Sequence, residues 1–148
     1  MVSRSDFQFF YPLRVRYAEV DAQGIVFNAH YLTYFDCAMT EYMRALPYSY
    51  QGQIEAGEDF HVVRALVEFK APVRFDEEIE VGARAAEIGR SSVRFEMGIF
   101  GKGDDQLRAT GEITWVNAHQ ESGKSAPLPE DFVAKIRALE GDHVIRKS

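Results

Sequence analysis

One stretch limits the fold more than any other. Between residues 29 and 46, Tyr31, Leu32, Tyr34, Phe35, Ala38, Met39, Tyr42, Met43 and Leu46 follow no alternating pattern. The polar residues among them, Thr33, Asp36, Thr40, Glu41 and Arg44, recur at steps of three or four. That is helical spacing. Asn28 is a suitable N-cap, and Pro47, which lacks a backbone donor, stops the helix. Apolar residues cover most of the circumference, so the helix must be enclosed by other elements and not laid on a surface.

The rest of the chain supplies strands to do so. Residues 7–17 place Phe7, Phe9, Tyr11, Leu13, Val15 and Tyr17 on one parity, against Arg14 and Arg16 on the other. This period of two marks a strand with one buried face, and Pro12 points to a sheet edge. Residues 60–70 carry Val63, Ala65, Val67 and Phe69 in phase, and residues 78–86 carry Ile79, Val81, Ala83 and Ala85. Residues 91–101 carry Val93, Phe95, Met97 and Ile99, and residues 106–118 carry Leu107, Ala109, Ile113 and Trp115. The short turns Gly89-Arg90-Ser91 and Gly101-Lys102-Gly103-Asp104-Asp105 suit antiparallel hairpins.

Pro129-Glu130-Asp131 opens a shorter helix over about residues 129–140, with Phe132, Val133, Ile136 and Leu139 as its apolar stripe. The tail after Gly141 is expected to be loose. The reading is α+β, an antiparallel sheet curled around one long central helix, in the order β-α-β-β-β-β-α. No repeat or linker interrupts residues 1–148, which are expected to form one domain with its core at about 7–121.

Composition removes several function classes. Seventeen basic against 23 acidic side chains give a net charge of −6, which opposes general binding to nucleic acid or anionic membranes. The single cysteine, Cys37, excludes an internal disulfide and fits a cytoplasmic setting. No run of about 18 apolar residues is present, so no membrane span is expected. His30, His61, His119 and His143 are scattered without ligand spacing, and no metal site is expected.

Residues 17–31 join the first strand to the enclosed helix. Asp21 supplies a carboxylate on a loop, and Gly24 permits a sharp turn or the close approach of a ligand. The helix start supplies unpaired N–H groups and about half a positive charge. A carbonyl held between these groups is well placed for attack, because the N–H groups stabilise the developing oxyanion. The simpler reading is that Asp21 forms a turn and Gly24 relieves strain.

The run Asp21-Ala22-Gln23-Gly24-Ile25-Val26-Phe27, followed by Tyr31 and Thr40-Glu41-Tyr42-Met43-Arg44, resembles the hotdog-fold acyl-CoA thioesterases. It is most similar to their 4-hydroxybenzoyl-CoA thioesterase and YbgC-like branch. The resemblance extends from about residue 10 to 120 and includes Phe69-Lys70-Ala71-Pro72-Val73 and Gly89-Arg90-Ser91-Ser92-Val93. It implies a hotdog fold and hydrolysis of an acyl thioester to free acid and coenzyme A, with no cofactor beyond the coenzyme A of the substrate. Asp21 matches the family's catalytic aspartate, a nucleophile or a general base. Asn28 matches the residue whose backbone N–H contacts the thioester oxygen, where many relatives carry histidine. Gly24 and Tyr31 fall on the substrate side, as do Arg90, Ser91 and Ser92 in the turn that meets coenzyme A phosphates. The resemblance also implies a homodimer or homotetramer.

Two other classes compete. The missing histidine at position 28 and the sparsely basic turn fit a non-catalytic acyl-CoA-binding module on the same fold. An enoyl-CoA hydratase or dehydratase needs a histidine placed before the helix. Cys37, mid-helix among apolar residues, reads as packing. Glu41 is a minor candidate for a second active-site carboxylate, while Asp104-Asp105 reads as a solvated hairpin tip.

Overall fold

The elements run β1 (Phe9–Arg14), α1 (His30–Ala45), α2 (Tyr50–Glu55), β2 (Glu58–Phe69), β3 (Glu78–Ile88), β4 (Ser92–Gly101), β5 (Leu107–His119), α3 (Glu130–Glu140) and β6 (Ile145–Arg146). They are taken from a computed structural model that describes residues 2–147. The strands lie in the order β1-β3-β4-β5-β2, with β6 also on β3. β1 is antiparallel to β3 from Phe9↔Ala83 to Arg14↔Glu78. The architecture is therefore the expected one: an open antiparallel sheet, one long helix and a shorter C-terminal helix. Pro12 sits in an edge strand, where its missing N–H costs no ladder bond.

The chain forms two compact units. The first comprises Met1–Tyr42, Val67–Arg84 and Met97–Gly111. Within it α1 buries Tyr31, Tyr34, Phe35, Ala38, Met39 and Tyr42. Gly111 of β5 permits the approach, since a Cβ there would stand 2.5 Å from the Phe35 ring. Tyr42 meets Phe9 of β1 edge-on at 5.7 Å. Gly98 and Phe100 alternate with Met97 and Ile99 and so face the other side of the sheet. There Phe7 lies on Gly82 and Gly98, where a Cβ would come within 2.7 and 3.2 Å of its ring. Arg4 closes this second small core, 4.9 Å over the Phe100 ring and paired with Glu80 and Asp105.

The second unit comprises Met43–Leu66, Ala85–Glu96 and Glu112–Ser148. Phe60, Trp115 and Phe132 pack as a cluster, with Phe60 5.1 Å from Trp115 and 5.0 Å from Phe132. Fully buried Asn117 is a polar hub. Its amide donates to Glu58 and to the Pro127 carbonyl, and its Oδ1 accepts from Gln53.

Several expectations need correction. One face of α1 stays open, with Thr33, Asp36, Thr40 and Arg44 exposed and Leu32 44% exposed. The polar stripe is continuous, so it marks a solvent face of the helix. β2 lies at a sheet edge, and its apolar parity is uncovered, with Val63 59% and Phe69 52% exposed. Tyr17 leaves β1 for a 3-10 turn and is exposed. The structure adds the short helix α2, and the tail is not loose: a 3-10 turn at Gly141–His143 leads into β6, parallel to β3 at Glu87↔Ile145. Asp105, its side chain 90% exposed, is solvated as expected and also pairs with Arg4 at 3.2 Å. Cys37 is half-buried, not fully enclosed.

Candidate active site

The loop carrying Asp21 is a tight hairpin in the first unit. The Phe27 N–H donates to the Glu19 carbonyl at 2.9 Å, Val20 bridges Val26, and the Asp21 N–H donates to the Ile25 carbonyl at 2.9 Å. Gly24 closes the tip with its N–H on the Asp21 carbonyl, and its φ of +75° is a conformation that glycine adopts without strain. The hairpin is also fastened sideways to the β2–β3 connection. The Val26 N–H donates to the Val73 carbonyl, Ile25 bridges Arg74, and the Phe75 N–H donates to the Gly24 carbonyl.

The Asp21 side chain is exposed. Its Oδ1 accepts the Gln23 N–H at 2.8 Å, and its Oδ2 has no hydrogen bond among the described residues. The turn-forming role is thus met by one oxygen, which orients the carboxylate and leaves the other oxygen free.

α1 begins at His30, one residue later than a cap at Asn28 requires. A tight turn leads in: the His30 N–H donates to the Phe27 carbonyl and the Tyr31 N–H to the Asn28 carbonyl. Both Asn28 and Ala29 are exposed, and their N–H groups have no acceptor among the described residues. Free donors therefore stand at the positive end of a 16-residue helix.

Tyr31 is 3% exposed, with its ring edge-on to Phe69 at 4.9 Å. Burial pushes its hydroxyl above the ordinary tyrosine value. It is a wall of the core, not a group presented at the surface. A cavity of about 450 Å³ in the same unit is lined by Ala71, Pro72, Arg74, Glu77, Gln106 and Arg108, without Asp21. Arg108 is buried and doubly paired with Glu77.

The candidate turn residues belong to the second unit. Arg90 is exposed, and its side chain has no partner among the described residues; Ser91 and Ser92 are half-buried. The backbone, in contrast, is pinned. The Leu128 N–H donates to the Arg90 carbonyl, the Asn117 N–H to the Ser91 carbonyl, and the Gly89 N–H to the Ser92 carbonyl.

One functional candidate escaped the sequence. Glu19 is 7% exposed, and its carboxylate accepts the Arg16 N–H at 2.8 Å, the Tyr34 hydroxyl at 2.8 Å and the Arg16 Nε at 2.9 Å. Burial alone would raise its pKa, but these three donors hold it below the usual carboxylate range. Glu19 and Tyr34 lie 15 positions apart, a spacing that no local pattern joins. Among the described residues no group of three or more His, Cys, Asp or Glu side chains could hold a metal ion, and no helix is long and apolar enough to cross a membrane.

Comparison with known proteins matches residues 15–136 to the thioesterase-like superfamily. The acyl-CoA thioester hydrolase YbgC of Escherichia coli O6:H1 is 29% identical over 129 residues, covering 87% of this chain and 96% of that protein. A crystal structure of a Pseudomonas aeruginosa PAO1 protein superposes with a TM-score of 0.82 at 29% identity, covering 93% of this chain and 95% of that one. A Thermus thermophilus thioesterase complexed with coenzyme A and Zn gives 0.76 at 33% identity, covering 92% and 97%.

Proposed function

Because this chain belongs to the thioesterase-like superfamily, we propose that it hydrolyses an acyl-CoA thioester to the free acid and coenzyme A, with Asp21 as its catalytic carboxylate. The observation that carries this reading is the pairing of a half-free carboxylate with open amides on one short segment. Asp21 has one oxygen fixed by Gln23 and one unoccupied, while Asn28 and Ala29 present unpaired N–H groups at the start of α1.

The thioester oxygen would lie against those amides and the carbonyl carbon against the Asp21 Oδ2. Asp21 then attacks the carbon itself or takes a proton from an attacking water. Either way the C=O electrons move onto the oxygen, where the amides and the helix end stabilise the charge. Collapse of the tetrahedral species breaks the C–S bond: on the general-base route this yields the free acid directly, and on the nucleophilic route it leaves an acyl anhydride on Asp21 that a water molecule then hydrolyses to the free acid. The departing thiolate has a pKa near that of a free thiol, about 8.5, so it leaves without a dedicated acid. Arg90, with its free guanidinium, suits the phosphates of coenzyme A, and Ser91 and Ser92 supply hydroxyls beside it. The mechanism draws on no cofactor.

The working species is proposed to be a homodimer, with tetramers formed by pairing of dimers. β2 is a 12-residue edge strand with Val62, Val63, Leu66 and Phe69 uncovered, and a long apolar edge is a template for another strand. Light scattering at micromolar concentration should report at least a dimer for the wild type and a monomer for Val63→Lys; a monomeric wild type removes this assembly.

The decisive assay follows thiol release across a panel of acyl-CoAs. Asp21→Asn should lower kcat by about 10²–10⁴, the range of a single acid–base group. Undiminished turnover in that variant removes Asp21 from the mechanism. Tight binding of acyl-CoA with no turnover of any panel member by the wild type would favour the binding-module reading.

A further inference from the structure

The hairpin that carries Asp21 is exposed at Asp21, Ala22 and Gln23, yet its base holds the buried carboxylate of Glu19. Desolvating that group is costly, and a pair of apolar residues would fill the same space without the cost. What a carboxylate adds is direction. Oε1 takes the Arg16 N–H and the Tyr34 hydroxyl, each at 2.8 Å, and Oε2 takes the Arg16 Nε at 2.9 Å. Glu19's own main chain completes the clamp, its N–H donating to the Arg16 carbonyl at 3.0 Å and its carbonyl accepting the Phe27 N–H at 2.9 Å.

Position makes this arrangement informative. Asp21 follows Glu19 by two residues on the outgoing limb. On the returning limb, Asn28 follows Phe27, which Glu19 binds directly. Tyr34 stands one turn inside α1, the helix whose opening amides are unpaired. A single residue thus references both limbs of the hairpin to the helix, the returning limb through its main-chain carbonyl and the helix through its carboxylate. Arg16, by contrast, has a side chain 77% exposed, so the buried link in the network is the Glu19–Tyr34 bond.

We propose that Glu19 is a positioning residue of this site: through Tyr34 it ties the Asp21 hairpin to the start of α1 and sets where the Asp21 carboxylate stands relative to the Asn28 and Ala29 amides. The proposal rests on the hydrolase reading and deepens it. The residue touches no substrate. Its effect on rate comes from geometry, and a misplacement near 1 Å between reacting groups can cost about a hundredfold.

Tyr34→Phe is the sharpest probe, because it removes one hydroxyl and keeps the buried ring. It should lower kcat about tenfold, with KM within about twofold, since the misplaced group acts in the chemical step. Glu19→Ala should lose about a hundredfold, and Glu19→Gln should recover the larger part, because an amide oxygen still accepts from the Arg16 N–H and the Tyr34 hydroxyl. Thermal melts accompany each variant. An active wild type with Tyr34→Phe at full kcat, or with Glu19→Gln as impaired as Glu19→Ala, overturns the positioning role, whatever the melting temperatures do. A wild type that turns over no acyl-CoA fails the hydrolase reading instead, and the positioning role falls with it.

Discussion

The Asp21 hairpin and the turn around Arg90 are both short, both exposed and both closed by backbone hydrogen bonds, yet they constrain different things. The hairpin fixes a side chain. Asp21 Oδ1 is held by the Gln23 amide, and a buried carboxylate with three donors lies two residues away. The turn fixes only its backbone, through Leu128, Asn117 and Gly89, and leaves the Arg90 guanidinium unattached. Their glycines differ in the same sense. Gly24 has a φ of +75° and open space around it, so the requirement is conformational. Gly89 shows no such φ, and a Cβ there would come within 3 Å of only the Ser92 Oγ, a rotatable group 2.6 Å away, so no comparable backbone requirement holds it. Bond-making chemistry depends on sub-ångström placement, whereas attraction between a cation and a phosphate falls off slowly with distance and tolerates a mobile partner. The two turns fit these separate demands.

The strongest test of that contrast is Gly24→Ala. With nothing within 4 Å of the added methyl group, its cost is conformational alone, about 1–2 kcal/mol for an L residue held in left-handed backbone. If the hairpin instead relaxes, it shifts Asp21, and kcat should fall on the order of 10-fold to 100-fold. Urea unfolding and thiol-release kinetics on the same preparation separate the two effects. A variant as stable and as active as the wild type breaks the contrast, because the hairpin would then be no more constrained than the turn.

The parts of this molecule that were legible in the sequence are those governed by local periodicity. Alternation located β1–β5 to within a few residues, and three-and-four spacing located α1, because one-face burial imposes those periods directly. Parity failed where tertiary placement overrode it. Val63 and Phe69 have the pattern of a half-buried strand, but in β2, at the sheet edge, both are more than half exposed, because no other element of the described residues covers that parity. Phe7 continues the parity of β1 yet folds over Gly82 and Gly98 on the other side of the sheet, a docking that only the two glycines permit. At the site, Asp21, Gly24 and Asn28 were visible because they are adjacent in sequence. Glu19 was not, since its meaning comes from Tyr34 across the helix, and Asn117 was missed because its role as anchor of the Ser91 backbone is set by partners far along the chain.

Arg90→Ala is the smaller test and probes the other half of the contrast. The guanidinium is exposed and unpaired, so its contribution to holding a phosphate is that of a surface ion pair, about 0.2–1 kcal/mol, or a KM raised roughly 1.4- to 5-fold. The loss should fall on KM and not on kcat, because the charge acts before the chemical step. It should also shrink as salt is added, since about 0.15 M ionic strength already screens charges beyond about 8 Å. Arg90→Lys should restore most of the affinity, because a point charge needs no particular geometry to attract a phosphate. Kinetics at low and high salt on the three proteins decide the matter. A kcat loss as large as that of Gly24→Ala would mean that Arg90 is held in place during the reaction, which would make the turn a positioning element like the hairpin.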